Sequence, residues 1–101
     1  MNQLIVQAIR GKRLIKLTHK GITRVVEPHA YGRTIKNGVE KLTGYQVKGG
    51  HSSKDRKPGS EWFRPNVADI KDLSLLEETF SGPRPDYKRL DETEFTIYEQ
   101  L

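Results

Sequence analysis

Arg13-Leu14-Ile15-Lys16-Leu17-Thr18-His19-Lys20-Gly21-Ile22-Thr23-Arg24-Val25-Val26 is the stretch on which the fold turns. Ile15 and Leu17 alternate with Lys16 and Thr18, the period-2 pattern of a strand with one face covered. Lys20-Gly21 reads as a turn, and Ile22 to Val26 is a β-rich return strand, so the stretch predicts an antiparallel hairpin. Before it, Leu4, Ile5, Ala8 and Ile9 form one helical stripe, with Asn2 as N-cap and Gly11 ending the helix in a left-handed turn.

After it, Pro28 lacks an N–H for a ladder, so the second strand should bulge or reach a sheet edge near Glu27-Pro28-His29. Ala30 to Ile35 is a further extended segment. Lys36-Asn37-Gly38 carries the Asn-Gly pair of a two-residue hairpin, with Val39 to Lys48 as the partner strand. His51 to Gly59 is polar and basic and reads as a flexible loop. Glu61 to Asn66 places Trp62 and Phe63 on opposite faces of a strand. Asp69 to Phe80 is ambiguous in period and is taken as strand in its centre. Ser81-Gly82-Pro83-Arg84-Pro85 breaks regular structure. Asp91-Glu92-Thr93-Glu94 has the form of a capping box, with Leu90 and Phe95 as a staple, and predicts a short C-terminal helix. The expectation is a mainly β chain with flanking helices (α+β): about five antiparallel strands forming a small barrel, in one domain over 1–101. Its core spans about 12–80, and 81–101 form the tail and helix.

Composition narrows the chemistry. The 101 residues suit one modest core, marginal enough that packing against a second copy as a homodimer is a reasonable partner. Absence of cysteine excludes disulfides and thiolate zinc modules. No stretch approaches the ~20 apolar residues of a membrane span, and the opening lacks a signal-peptide pattern, so the expected location is the cytoplasm, with no membrane partner. The net charge of +5 divides unevenly: residues 1–64 hold 14 Lys/Arg against 4 Asp/Glu, and residues 65–101 hold 4 against 9. A basic body with an acidic tail favours anionic partners at one end.

His19, His29 and His51 have no ligand spacing with carboxylates, so neither a metal nor another cofactor is expected. Ser52, Ser53 and Ser60 lack a nucleophile elbow. A metal-independent ribonuclease using His29, Tyr45, Lys48 and Arg64 remains an alternative by residue type, though no spacing requires it. Phosphate binding is better supported. Gly49-Gly50 follow Lys48, Lys54, Arg56 and Lys57 lie beyond, and Tyr31, Tyr45, Trp62 and Phe63 interleave with Arg33, Lys48 and Arg64. Glycine N–H groups and cations suit phosphate oxygens, and aromatic faces suit bases. For any one of these aromatics a place in the core is the expected role, Phe63 and Tyr45 first.

Several segments in order resemble the WYL domain family of bacteria. They are the helix with Ala8-Ile9, Thr23-Arg24-Val25-Val26-Glu27-Pro28-His29-Ala30-Tyr31-Gly32, and Leu42-Thr43-Gly44-Tyr45-Gln46-Val47-Lys48-Gly49-Gly50. Glu61-Trp62-Phe63-Arg64 with Ile70, and Phe80-Ser81-Gly82-Pro83-Arg84-Pro85-Asp86-Tyr87, complete the set. The R-x-V-E-P-H and F-S-G-P-R-P-x-Y stretches carry most of the specificity. The resemblance implies an SH3-like (Sm-like) barrel that senses a nucleotide or short single-stranded nucleic acid, usually within transcription regulators and in some members within phage-defence regulation. Tyr45 matches the tyrosine of the Trp-Tyr-Leu motif, and Arg64 resembles the basic residue facing the ligand groove. Gly44-Tyr45-Gln46 departs from that motif, and neither a helix-turn-helix nor a dimerising extension is read in the chain. The expectation is a non-enzymatic, stand-alone WYL-like binding domain in which Arg24, His29, Tyr45, Lys48, Trp62 and Arg64 line one groove. The arginines and Lys48 would take phosphates, Tyr45 or Trp62 would stack a base, and His29 would hydrogen-bond. An adaptor docking on a regulator protein through the acidic tail and a sheet edge is the competing reading.

Overall fold

The computed structural model describes residues 1–50 and 61–101. The loop read at His51–Gly59, with Lys54, Arg56 and Lys57, lies outside the described residues. The chain begins with helix α1 (Gln3–Gly11), followed by β1 (Arg13–His19), β2 (Ile22–Thr34), β3 (Glu40–Gly49), β4 (Trp62–Phe63), β5 (Ile70–Thr79) and β6 (Phe95–Gln100). A single 3-10 turn at Val67–Asp69 leads into β5.

Asn2 caps α1 as its sequence suggests, its side-chain oxygen accepting from Leu4 N at 3.0 Å and Ile5 N at 3.2 Å. The left-handed residue at the other end is Lys12 (φ 50°, ψ 48°) rather than Gly11, which stays helical. A nine-residue helix is marginal alone. Burial of Ile5, Val6, Ala8 and Ile9, all at most 3% exposed, holds it on the sheet at roughly 1.5–3 kcal/mol for each large side chain.

The β1–β2 hairpin forms as read. Lys20 and Gly21 both take positive φ (52° and 72°), the primed turn whose twist matches the flanking strands. The sheet runs in the order β4-β3-β2-β1-β5, all pairs antiparallel, with β6 also paired to β2.

Strand β2 organises the molecule. One of its edges pairs with β3 along most of its length, from Arg24↔Gly49 to Arg33↔Glu40. The other edge is divided: β1 takes it up to Val26 and β6 takes it from Ala30 onward. Pro28 falls in the gap between these two partners, where a missing N–H leaves no ladder bond unmade. The β2–β3 register shifts between Pro28 and Ala30, so the expected bulge is present, yet the strand runs straight on through the segment read as separate.

Two local signals lose to longer-range ones. The Asn37-Gly38 pair does not make a two-residue turn. The loop spans Ile35–Gly38, closed by Thr34 N to Val39 O and Gly38 N to Thr34 O, both 2.9 Å, and of the two only Gly38 has positive φ (69°). The C-terminal helix does not form. Asp91 caps one turn, its side chain accepting from Thr93 N and Thr93 Oγ1 at 2.8 Å, and the chain then enters β6. Phe95-Thr96-Ile97-Tyr98 is rich in aromatic and β-branched residues, and the open half-edge of β2 offers it a full ladder that an isolated short helix cannot match.

The core gathers Ile5, Val6, Ala8, Ile9, Ile15, Leu17, Val26, Tyr31, Leu42 and Phe63. Tyr31 is fully buried, and its hydroxyl accepts from Asn2 N at 2.7 Å and donates to Glu40. Burial first, and then the Glu40 bond, push its pKa up to about 12. Gly44 lies so close to β2 that a Cβ there would stand 2.2 Å from Val26 Cγ1, so any larger residue at this position would force the two strands apart. Strand β5 ends the sheet on one side, and its pairing with β1 is twice offset by bulges, with Asp72 at φ 53°. Among the described residues no helix is long and apolar enough to cross a membrane.

Candidate functional site

Glu27 on β2, Tyr45 on β3 and Trp62 on β4 stand side by side in register across three strands, Glu27↔Tyr45 and Tyr45↔Trp62. Register partners project to one face, and the Tyr45 and Trp62 rings meet edge to face at 5.4 Å. His29, two residues after Glu27, reaches the same cluster, 5.0 Å from Trp62. The segment after β5 crosses this face. Phe80 stacks on His29 at 5.5 Å, Tyr87 meets His29 at 4.9 Å, and Tyr87 stacks on Trp62 at 5.9 Å.

Arg84 is the centre of this strap. Its Nε and Nη2 donate to the two oxygens of Glu27, each at 2.9 Å, and its guanidinium lies 4.0 Å over the Tyr45 ring. The Glu27 hydrogen bond raises the Arg84 pKa above its ordinary value, so the pair is a fixed charged fork. The backbone N–H of Arg84 donates to His29 Nε2 at 3.2 Å, and His29 Nδ1 lies 2.9 Å from Glu27 O. An acceptor at Nε2 requires the proton at Nδ1, so the ring is neutral, in agreement with the lowering of its pKa by burial. The Tyr87 hydroxyl lies within reach of His29 O (3.3 Å) and Gln100 Oε1 (3.4 Å), and Trp62 Nε1 donates to Asp86 at 2.8 Å.

The six residues expected to line one groove divide. His29, Tyr45, Trp62 and Arg64 do meet, the Arg64 guanidinium resting 5.6 Å over the Trp62 ring. Lys48 is exposed and borders an open depression of about 270 Å³ with Tyr45, Gln46, Val47, Gly49 and Glu61. Arg24 does not belong to this face. It is 1% exposed, with its guanidinium 4.7 Å over Phe63 and Nη1 donating to Gln46 Oε1 at 3.3 Å. Phe63, which projects opposite to Trp62 as read, carries Arg24 with it into the interior. His29 is also fully buried and has both ring nitrogens engaged, so it holds the strap rather than offering a hydrogen bond to a ligand or a proton to a substrate. Phe63 is core as chosen, whereas Tyr45 stays half-buried at the rim. Among the described residues no group of three or more histidines and carboxylates is placed to hold a metal ion.

Glu27, Arg84, Asp86 and Tyr87 are the members that residue-by-residue reading did not assign. Both stretches that gave the resemblance its specificity contain them, and the fold presses those two stretches together. The available signal was an acid and a base in two unusual motifs, Glu27 beside Pro28 and Arg84 between two prolines. Arg84 covers a face of Tyr45 and cannot leave cheaply, because a nearly buried Glu27 carboxylate would stay behind uncompensated. Among the described residues, the exposed Arg64 side chain rests on the Trp62 ring. Compared with protein-family models, with curated proteins and with solved structures, the chain matches none of them.

Proposed function

We propose that the chain is a WYL-like ligand-sensing domain that binds a phosphate-bearing aromatic ligand, a nucleotide or short single-stranded nucleic acid, at the Tyr45–Trp62 face, and that its antiparallel sheet belongs to an SH3-like barrel. The observation carrying this reading is Trp62, half-buried among Tyr45, His29 and Tyr87, with the Arg64 cation above its ring. A base would stack on Trp62, and Arg64, displaced from the ring, would take the phosphate. Lys48 stands at the rim as a second cation. The Glu27–Arg84 pair and His29 keep the platform rigid, so little ordering is required on binding.

Trp62 is the only tryptophan, so its fluorescence reports on this face alone. Short single-stranded DNA or RNA should quench it saturably, and Arg64→Ala should weaken that binding about tenfold with an unchanged circular dichroism spectrum. Unaltered affinity in Arg64→Ala removes Arg64 from the site. Absence of saturable binding by the native chain removes the reading itself and favours a protein partner.

A further inference from the structure

Asn37 and Gly38 are both exposed, and they belong to a longer loop rather than the two-residue turn that the pair favours. The pair also has a chemistry of its own. An asparagine side chain can cyclise onto the main-chain N of the next residue, and glycine there has no Cβ to obstruct the approach. Three asparagines occur in the chain, and Asn37 alone has glycine after it. Asn2 precedes Gln3, and its Oδ1 is held by Leu4 N and Ile5 N at the start of α1. Asn66 precedes Val67, whose branched side chain crowds the approach, and its Oδ1 is buried.

The loop holds both reacting groups of the pair. Gly38 N, the nucleophile, donates to Thr34 O at 2.9 Å. The Asn37 side-chain oxygen accepts from the Thr34 hydroxyl, which itself accepts from Val39 N at 2.9 Å. Thr34 N closes the loop onto Val39 O, also at 2.9 Å. Attack requires Gly38 N to leave Thr34 O and the Asn37 side chain to turn away from the hydroxyl. Both bonds lie in an exposed loop, where local opening is cheap, so Thr34 acts as a latch.

We infer that Asn37 is a self-modification site, which deamidates by cyclising onto Gly38 at a rate set by Thr34. A bond forms from Gly38 N to Asn37 Cγ, and the Cγ–Nδ2 bond breaks. The proton lost by Gly38 N is made good on Nδ2, which leaves as ammonia. Water then opens the cyclic imide at either carbonyl, giving aspartate or isoaspartate. Both products add one negative charge to the loop. Isoaspartate also routes the main chain through the former side chain, one carbon longer, so Gly38 and Val39 fall out of register with Thr34. The loop is tied to the start of β6 by Ile35 N donating to Glu94 O at 2.9 Å, so this end of the β2–β6 ladder is what the longer loop loosens. Nothing here depends on a ligand at the Trp62 face, and the two readings stand or fall separately.

The test incubates the full chain in mildly alkaline buffer and follows each asparagine by peptide mass spectrometry, with aspartate and isoaspartate separated by chromatography. Conversion should appear at Asn37 while Asn2 and Asn66 stay intact. Intact Asn37, or conversion spread evenly over the three, overturns the site. Asn37→Gln, whose longer side chain closes a ring far less readily, should abolish the mass gain of the whole chain, and a persisting gain also overturns the site. Thr34→Val removes the hydroxyl and should speed conversion about fivefold, the effect of one net hydrogen bond on the open population. Thr34→Ser keeps the hydroxyl and should convert at close to the native rate. Circular dichroism checks that both variants are folded. An unchanged or slower rate in folded Thr34→Val, or a Thr34→Ser rate as fast as that expected for valine, overturns the latch.

Discussion

Removing either member of the Glu27–Arg84 pair breaks the same two hydrogen bonds, yet the two substitutions should not cost the same. The Glu27 side chain is 9% exposed and that of Arg84 is 38% exposed. In Arg84→Ala a carboxylate is left nearly buried without its cation. A fully buried pair broken in this way costs about 3–5 kcal/mol, and an exposed pair about 0–1. Discounted for the partial exposure of Arg84, the loss is about 2–3 kcal/mol, with roughly 0.5–1 more for the stacking on Tyr45. In Glu27→Gln the remaining guanidinium can turn toward water and keeps an amide oxygen to bond, so the cost is about 1 kcal/mol. Arg84→Ala should therefore be the more damaging by about 1–2 kcal/mol. Urea unfolding followed by circular dichroism, on both single variants and the double variant, measures these quantities and the coupling between them. At this chain length the larger loss corresponds to a fall in Tm of about 10–20 °C. Equal costs, or a coupling below about 0.5 kcal/mol, would refute the view that the strap is held by a desolvated ion pair.

Two further outcomes follow from the geometry. His29 is held neutral with its pKa below the ordinary 6.5, so the unfolded chain binds more protons than the native one below that pH. Its contribution is thus complete above about pH 6.5 and shrinks as pH falls toward the native pKa; urea midpoints between pH 7.5 and 5 should decline, and a flat profile would refute the assignment of a neutral ring accepting from Arg84. Gly44→Ala should destabilise by about 1–3 kcal/mol through the overlap of its Cβ with Val26, and Val26→Ala in the same chain should return part of that loss in thermal melts.

The β1–β2 hairpin, the Asn2 cap and the opposite faces of Trp62 and Phe63 were legible because each is fixed within a few residues. Lys20-Gly21 specifies its turn whatever surrounds it. The misread elements are those decided at long range. Asp91 to Glu94 is a sound cap, but whether a helix or a strand follows depends on β2 having half an edge open, and nothing near Asp91 carries that information. Pro28 signals a bulge, yet that β2 continues through it follows only from β1 stopping and β6 starting on either side. The candidate site was half legible for the same reason. Aromatics beside cations could be picked out by type, whereas burial of Arg24 beneath Phe63 and the partnership of Arg84 with Glu27, 57 residues apart, arise from packing.

The divided edge of β2 also orders events in time. Its first half is paired by β1 from the same hairpin, a contact between near neighbours that closes within microseconds. Its second half waits for β6, whose residues Phe95 and Gln100 pair with Thr34 and Ala30, roughly sixty to seventy residues earlier in the chain. During synthesis at about 5–20 residues per second, that half-edge stays open for several seconds while the intervening strands appear. Docking of β6 should therefore be the last step of folding, with low φ-values along Phe95–Gln100 and high ones in the β1–β2 hairpin. Until that step is complete, the second half of β2 is the edge on which one nascent chain can pair with another.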